Sequence, residues 1–177
     1  ELDLLRQRSV EARRQKARRG ELLIVSPVGY VKGEHRLEKD PDRRVQDAID
    51  LVFRKLLELG SVRQTLLWFH EHDLELPVIN AREEIRWRRP SYGMVYSMLT
   101  NPAYGGTYAY GKTEQVTTYA DGEPRQTIRR KPREHWLAFI PDAHEGYVSW
   151  EQFERVQVAI AQNTLGRGHV GAAQRGA

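Results

Sequence analysis

The sequence predicts an α+β fold, mainly helical, with a helix-turn-helix-like core, small antiparallel hairpins and a projecting N-terminal helix. Three observations predict it. Two strongly patterned helical segments meet at a single Gly60-Ser61 step, and helices joined so tightly must cross at a steep angle. Around them lie short apolar runs broken by glycine and proline, which read as hairpins. Residues 2–19 are good helix formers with only a narrow apolar stripe, too little to hold a helix inside a core.

In chain order, Leu2, Leu5, Ser9 and Ala12 form that stripe, arginines and glutamine fill the rest, and Gly20 is placed to end the helix as a C-terminal cap. Lys32-Gly33-Glu34-His35 is placed to turn a hairpin. Asp40-Pro41 reads as an N-cap with proline at the first helical position, followed by Val45, Ile49, Val52, Phe53 and Leu56 at helical spacing up to Gly60. Ser61 with Gln64 is a capping-box pattern, and Val62, Leu66, Phe69 and Leu74 line the second helix. Residues 74–87 read as a loop ending in a mixed arm. Ser91 caps a short helix through Thr100, with Val95, Met98 and Leu99 inward, and Asn101-Pro102 stops it. Thr107 to Tyr110 alternates as a strand, Asp121-Gly122 is a turn signal, and Thr127 to Arg130 is the expected returning partner. Ser149 with Gln152 opens a last helix carrying Phe153, Val156 and Ile160 on one face.

At 177 residues, this length fits one medium domain with an appendage. The net charge is only +4, although the isoelectric point is about 9.4, so the distribution of charge matters more than its sum. Residues 5–20 carry seven basic side chains against one acid, a pattern whose natural partner is phosphate. There is no cysteine, which excludes a disulfide framework and any thiolate zinc site. No apolar run approaches a membrane span and no signal-peptide pattern opens the chain, so a soluble, cytoplasmic protein with no membrane partner is expected.

Catalytic chemistry finds little support. His70 and His72 stand two residues apart, pointing about 200° away from each other on a helix, so they are read as solvated or capping histidines. His135 and His144 lie in loops beside Glu134 and Glu145, but no serine or cysteine stands where a nucleophile would be activated. No cofactor and no metal are expected. Binding residues are more visible. Arg13, Arg14, Lys16, Arg18 and Arg19 end the projecting helix, where an arm can enter a groove or follow phosphates. Arg86, Arg88 and Arg89 precede the helix begun by Ser91 and Tyr92, so backbone amides and guanidiniums together form a candidate phosphate or base-edge reader. Lys112, Arg129, Arg130 and Lys131 lie on the two arms of the later hairpin, suited to tracking phosphate. Trp87, Tyr96 and Tyr104 are read as core aromatics.

The order of motifs resembles the recombinase domain of large serine recombinases, including phage integrases and transposon resolvases. The resemblance rests on Pro27, Gly29 and Tyr30; on Gly60 and Ser61; on Trp87 and Ser91; on Leu99, Asn101, Pro102, Tyr104 and Gly106; and on Ser149, Phe153, Val156 and Gln157. It covers residues 21–165, which it makes the DNA-binding domain, with 1–20 as the end of a linker helix from a preceding catalytic domain and 166–177 as a flexible tail. It implies site-specific binding of double-stranded DNA, a parent that is a homodimer on DNA and a tetramer in synapsis, and strand exchange through a phosphoserine link. The nucleophilic serine of that family belongs to a Tyr-x-Arg-x-Ser context absent here, so the chain itself is not expected to be an enzyme. A stand-alone helix-turn-helix regulator is the alternative of the same binding class, and a nucleic-acid-processing enzyme the alternative of another.

Overall fold

The computed structural model describes residues 2–120 and 123–170. The helices are α1 (Leu2–Arg18), α2 (Arg43–Leu59), α3 (Val62–Glu71), α4 (Tyr92–Leu99) and α5 (Trp150–Val170). Between them run β1 (Tyr30–Lys32), β2 (Leu37–Lys39), β3 (Leu76–Ile79), β4 (Ile85–Arg88), β5 (Tyr108–Tyr110), β6 (Thr113–Ala120), β7 (Glu123–Arg130) and β8 (Ala138–Ile140). The strands form two-stranded antiparallel pairs: β1 with β2, β3 with β4, β5 with β8 and β6 with β7. The predicted α+β class is therefore the observed one. Among the described residues no helix is long and apolar enough to cross a membrane.

Helix α1 projects, as its narrow stripe predicted: Leu2, Leu4, Leu5 and Val10 are exposed, and only Ala17 is buried. Its foot is held because Gly20 adopts a left-handed φ of 76° and lies against Ile140 and Tyr108, close enough to Ile140 that a side chain there would crowd it. On α2 all five apolar positions of the sequence pattern are buried. The cap is Asp42, whose side chain accepts from the Arg44 amide, while Asp40 accepts from the Asp42 amide one step earlier. Pro41 thus stands before the helix rather than at its first position. On α3 the Ser61 cap holds, with Val62, Thr65 and Phe69 buried, whereas Leu74 falls beyond the helix and stays exposed.

Two further expectations are corrected. Residues 74–87 are not a loop, since β3 and β4 form a hairpin. Its turn is built by Asn80, whose side-chain oxygen accepts from the Arg82 and Glu84 amides, an Asx turn that replaces glycine at the bend. Secondly, the strand Tyr108–Tyr110 does not pair with Thr127–Arg130. It pairs with Ala138–Ile140, and Thr127–Arg130 belongs to β7, which pairs with β6. Both partners of the β5–β8 pair carry buried apolar residues, Tyr108 and Ala138, whereas β7 is exposed throughout; burial selects the apolar pairing. The Asp121-Gly122 turn lies outside the described residues. Helix α5 continues to Val170, five residues past Leu165, and residues 171–177 of the expected tail lie outside the described residues.

One buried core joins these pieces. Phe53, Leu56, Phe69, Leu76, Val95, Leu99, Tyr104 and Phe153 meet in it, one or more from nearly every helix. Above it three tyrosines converge, with ring centroids 5.8 Å (Tyr30–Tyr104), 5.2 Å (Tyr30–Tyr147) and 5.8 Å (Tyr104–Tyr147) apart. Tyr104 Oη donates to Val28 O at 2.8 Å, Tyr147 Oη to Gly29 O at 2.6 Å, and Tyr30 Oη lies between Ala103 O at 2.9 Å and Glu145 O at 3.1 Å. Burial raises all three phenol pKa values, so these hydroxyls remain donors throughout the physiological range. His144 Nε2 lies 2.7 Å from Ala103 O, which fixes Nε2–H as the donor. Gly106, at φ 76°, has no room for a side chain, because a Cβ would stand 2.8 Å from His144 O.

Burial holds the His144 pKa below its ordinary value, partly offset by the Ala103 hydrogen bond and reinforced by Arg36. A histidine depressed in the folded state gives full stability above its unfolded pKa of about 6.5 and loses it as pH falls through that value toward the folded one. Chemical denaturation of wild type between pH 7.5 and 5.5 should therefore show a midpoint that declines more steeply than that of His144→Gln.

Candidate nucleic-acid interface

The edge around α4 is assembled from three distant segments. Ser91 Oγ accepts from the Met94 amide and opens the helix. Just before it, Pro90 O is held by His70 Nε2 at 2.8 Å, so one of the paired histidines pins the start of α4 to the end of α3. At the far end, Gln157 Nε2 of α5 donates to Leu99 O at 2.7 Å. An eight-residue helix is marginal alone; here both ends are tied to longer helices.

The sequence-predicted residues fall into three groups on this frame. Arg86 and Arg88 lie on β4 at exposed positions, and Arg89 is exposed in the link to Ser91. Arg86 is paired with Glu84 at 3.1 Å, whereas Arg88 and Arg89 have no ion pair among the described residues. Tyr92 is 46% exposed and lies parallel to Tyr96 at a centroid distance of 6.0 Å. Arg130 then sits over the other tyrosine, its guanidinium carbon 5.3 Å from the Tyr96 ring centre. The foot of the hairpin is thereby brought to α4, an approach between residues 34 positions apart that no local spacing encodes.

Lys112, Thr113, Arg130 and Lys131 line a cleft of about 190 Å³ with Thr100 and Trp136. Trp136 Nε1 donates to Lys131 O at 3.0 Å, and the Lys131 amide to Lys112 O at 2.9 Å, which extends the β6–β7 ladder beyond the strands. Lys112 is half-buried, and its pKa is held below the usual lysine value, first by burial and then by Arg130. Arg129 is a neighbour of Arg130 on one strand and so points to the opposite face of the ribbon, across from Glu114. The four hairpin cations do not share one surface.

The N-terminal arm is the third group. Arg13, Arg14 and Lys16 are exposed without ion pairs among the described residues, but Arg18 lies 3.8 Å from Glu11 and Arg19 makes a 2.9 Å pair with Glu21. Such exposed pairs are weak and exchangeable. Of the aromatics read as core, Tyr104 is buried and Trp87 is half-buried against the core, while Tyr96 packs on the core with one side and carries Arg130 on the other. Sequence reasoning missed that second role. Among the described residues no group of three or more His, Asp or Glu is arranged to hold a metal ion.

The Recombinase family model matches residues 43–163, more than half of the chain, and the chain belongs to that family, the recombinase domain of the large serine recombinases. An uncharacterized protein of Sinorhizobium fredii (strain NBRC 101917 / NGR234), y4bA/y4pH, is 36% identical over 171 residues, covering 94% of this chain and 24% of that protein. A crystal structure of an LSR-DNA complex is similar with a TM-score of 0.55 at 17% identity, over 94% of this chain and 42% of that one; a likeness at that identity shows the fold. The chain thus spans about a quarter of the curated relative and under half of the solved one.

A lysine whose folded pKa is depressed costs stability at neutral pH, and the cost disappears as pH rises past its ordinary value of about 10.4. Lys112→Met should accordingly unfold at a higher urea midpoint than wild type at pH 7, with the gap closing as pH rises toward that value.

Proposed function

We propose that the chain is the sequence-specific DNA-binding part of a serine site-specific recombinase, which positions a separate catalytic domain on double-stranded DNA for strand exchange. The observation that carries this reading is the Tyr92–Tyr96–Arg130 stack, which joins the N-terminal edge of α4, with its unpaired Arg88 and Arg89, to the basic foot of the β6–β7 hairpin. Base-edge and phosphate contacts are different in kind, and a reader needs both, fixed relative to each other. Membership of the Recombinase family and a structural neighbour solved as a complex with DNA support it.

In this reading Arg88, Arg89, Ser91 and Tyr92 face base edges, with Arg86 beside them. Lys112, Arg129, Arg130 and Lys131 contact phosphates, and Arg13, Arg14, Lys16, Arg18 and Arg19 follow the backbone along the arm. The chain supplies no nucleophile and breaks no bond. Cleavage belongs to the catalytic domain of the parent, which acts as a homodimer on each site and as a tetramer in synapsis.

Two measurements separate the roles. Replacing Arg129 and Arg130 by alanine should weaken binding to every duplex alike and reduce the slope of log affinity against log salt by about 0.9 for each phosphate no longer neutralised; an unchanged slope removes the hairpin from the interface. Arg88→Ala or Arg89→Ala should relax discrimination at particular base pairs by about 1–3 kcal/mol, read by competition between a selected site and its single-base variants. Equal weakening on selected and random duplexes would make these arginines positioning groups only.

A further inference from the structure

The cleft at the hairpin foot differs from the other basic surfaces in being concave and partly buried. Lys112, Arg130 and Lys131 converge on it, and among the described residues no acidic side chain lines it and none of the three has an ion pair. Arg130 is held by the Tyr96 ring, and the Lys131 backbone by the Trp136 indole, so one guanidinium and the chain that carries the neighbouring lysine are positioned before any ligand arrives. Burying one cation beside another disfavours the folded chain unless an anion compensates, and the depressed Lys112 pKa records the same conflict. At about 190 Å³ the cleft is smaller than the roughly 300–1,000 Å³ of small-molecule sites. It accommodates one tetrahedral oxyanion with water. Arg130 and Trp136 also line a neighbouring groove of about 590 Å³, together with Tyr96 and Phe153, so the cleft opens sideways and leaves a path for a continuing polymer.

We propose that this cleft is a seat for a single phosphate group, taken from one phosphodiester of the duplex backbone; the assignment rests on the DNA-binding reading above. Lys112 supplies the half-buried charge, Arg130 and Lys131 close the sides, and Thr113 and Thr100 belong to the same lining. The seat fixes the register of the reading helix, because Arg130 touches the phosphate on one side and the Tyr96–Tyr92 stack on the other.

The test uses the full chain and a duplex selected from a random pool for binding. In a series of that duplex, one backbone phosphate at a time is replaced by neutral methylphosphonate. Wild type should bind about tenfold more weakly at one position, the size of a charge-assisted hydrogen bond. Lys112→Gln should show that weakening on the unmodified duplex and no further weakening at that position, whereas Lys112→Arg should behave as wild type. A Lys112→Gln protein as sensitive as wild type at every position overturns the backbone assignment. In parallel, inorganic phosphate is titrated while the Trp136 indole N–H resonance is followed. Saturation in wild type and not in Lys112→Gln supports the seat; saturation with no coupling on the duplex makes it a free-phosphate site and overturns the proposal. Phosphate binding by a chain that retains no duplex overturns the DNA-binding function instead, and duplex binding with neither coupling nor saturation removes the seat alone.

Discussion

The Tyr30–Tyr104–Tyr147 cluster is the constraint on which the rest of the structure depends. Each hydroxyl reaches a carbonyl far away in sequence, 73, 76 and 118 residues for the Tyr30–Ala103, Tyr104–Val28 and Tyr147–Gly29 bonds. The cluster therefore holds the entry segment, the turn after α4 and the approach to α5 together. A buried hydroxyl or carbonyl left unpaired costs about 1–3 kcal/mol, so the three bonds form as a set or leave several penalties at once. Sterics tighten the same point: Gly106 must be glycine because the His144 carbonyl occupies the space of its missing side chain.

From that point the basic edge around α4 is reached in a few steps. The Pro102–Gly105 turn sets where α4 ends and where β5 begins, and β5 pairs with β8, against which α1 is footed. Directly after β5 the chain enters the long exposed hairpin, whose far strand returns Arg130 to Tyr96. A hairpin whose foot is anchored in this way has its ordering cost met in folding. Helix α4 follows the same rule, with His70 and Gln157 restraining its two ends while its N-terminal face remains open.

Much of this was legible locally. The burial of Val45, Ile49, Val52, Phe53 and Leu56 follows from spacing alone, and Ser61, Ser91 and Ser149 cap helices because a hydroxyl at that position satisfies an amide with no other partner. The Asn80 turn escapes a sequence reading because an Asx bend carries no glycine. Pairing of β5 escapes it because a strand of three residues has almost no register information, and the nearest partner in sequence is a better guess than a distant one only if burial is ignored. His70 reads as a solvated or capping residue, yet it holds a carbonyl 20 residues away.

The sequence by itself determined the helices, their caps, the concentration of cations at the arm and hairpin, and the order of motifs that marks the family. These are properties of neighbours in the chain, set by periodicity and by the chemistry of single residues. Only the tertiary structure decided which cations lie together: it placed Arg130 on Tyr96, turned Arg129 to the opposite face, paired Arg18 and Arg19 with acids, and sank Lys112 into a cleft. The physical reason is that charge and stacking act through space at a few ångströms, and those distances are fixed by long-range burial that a linear pattern does not contain.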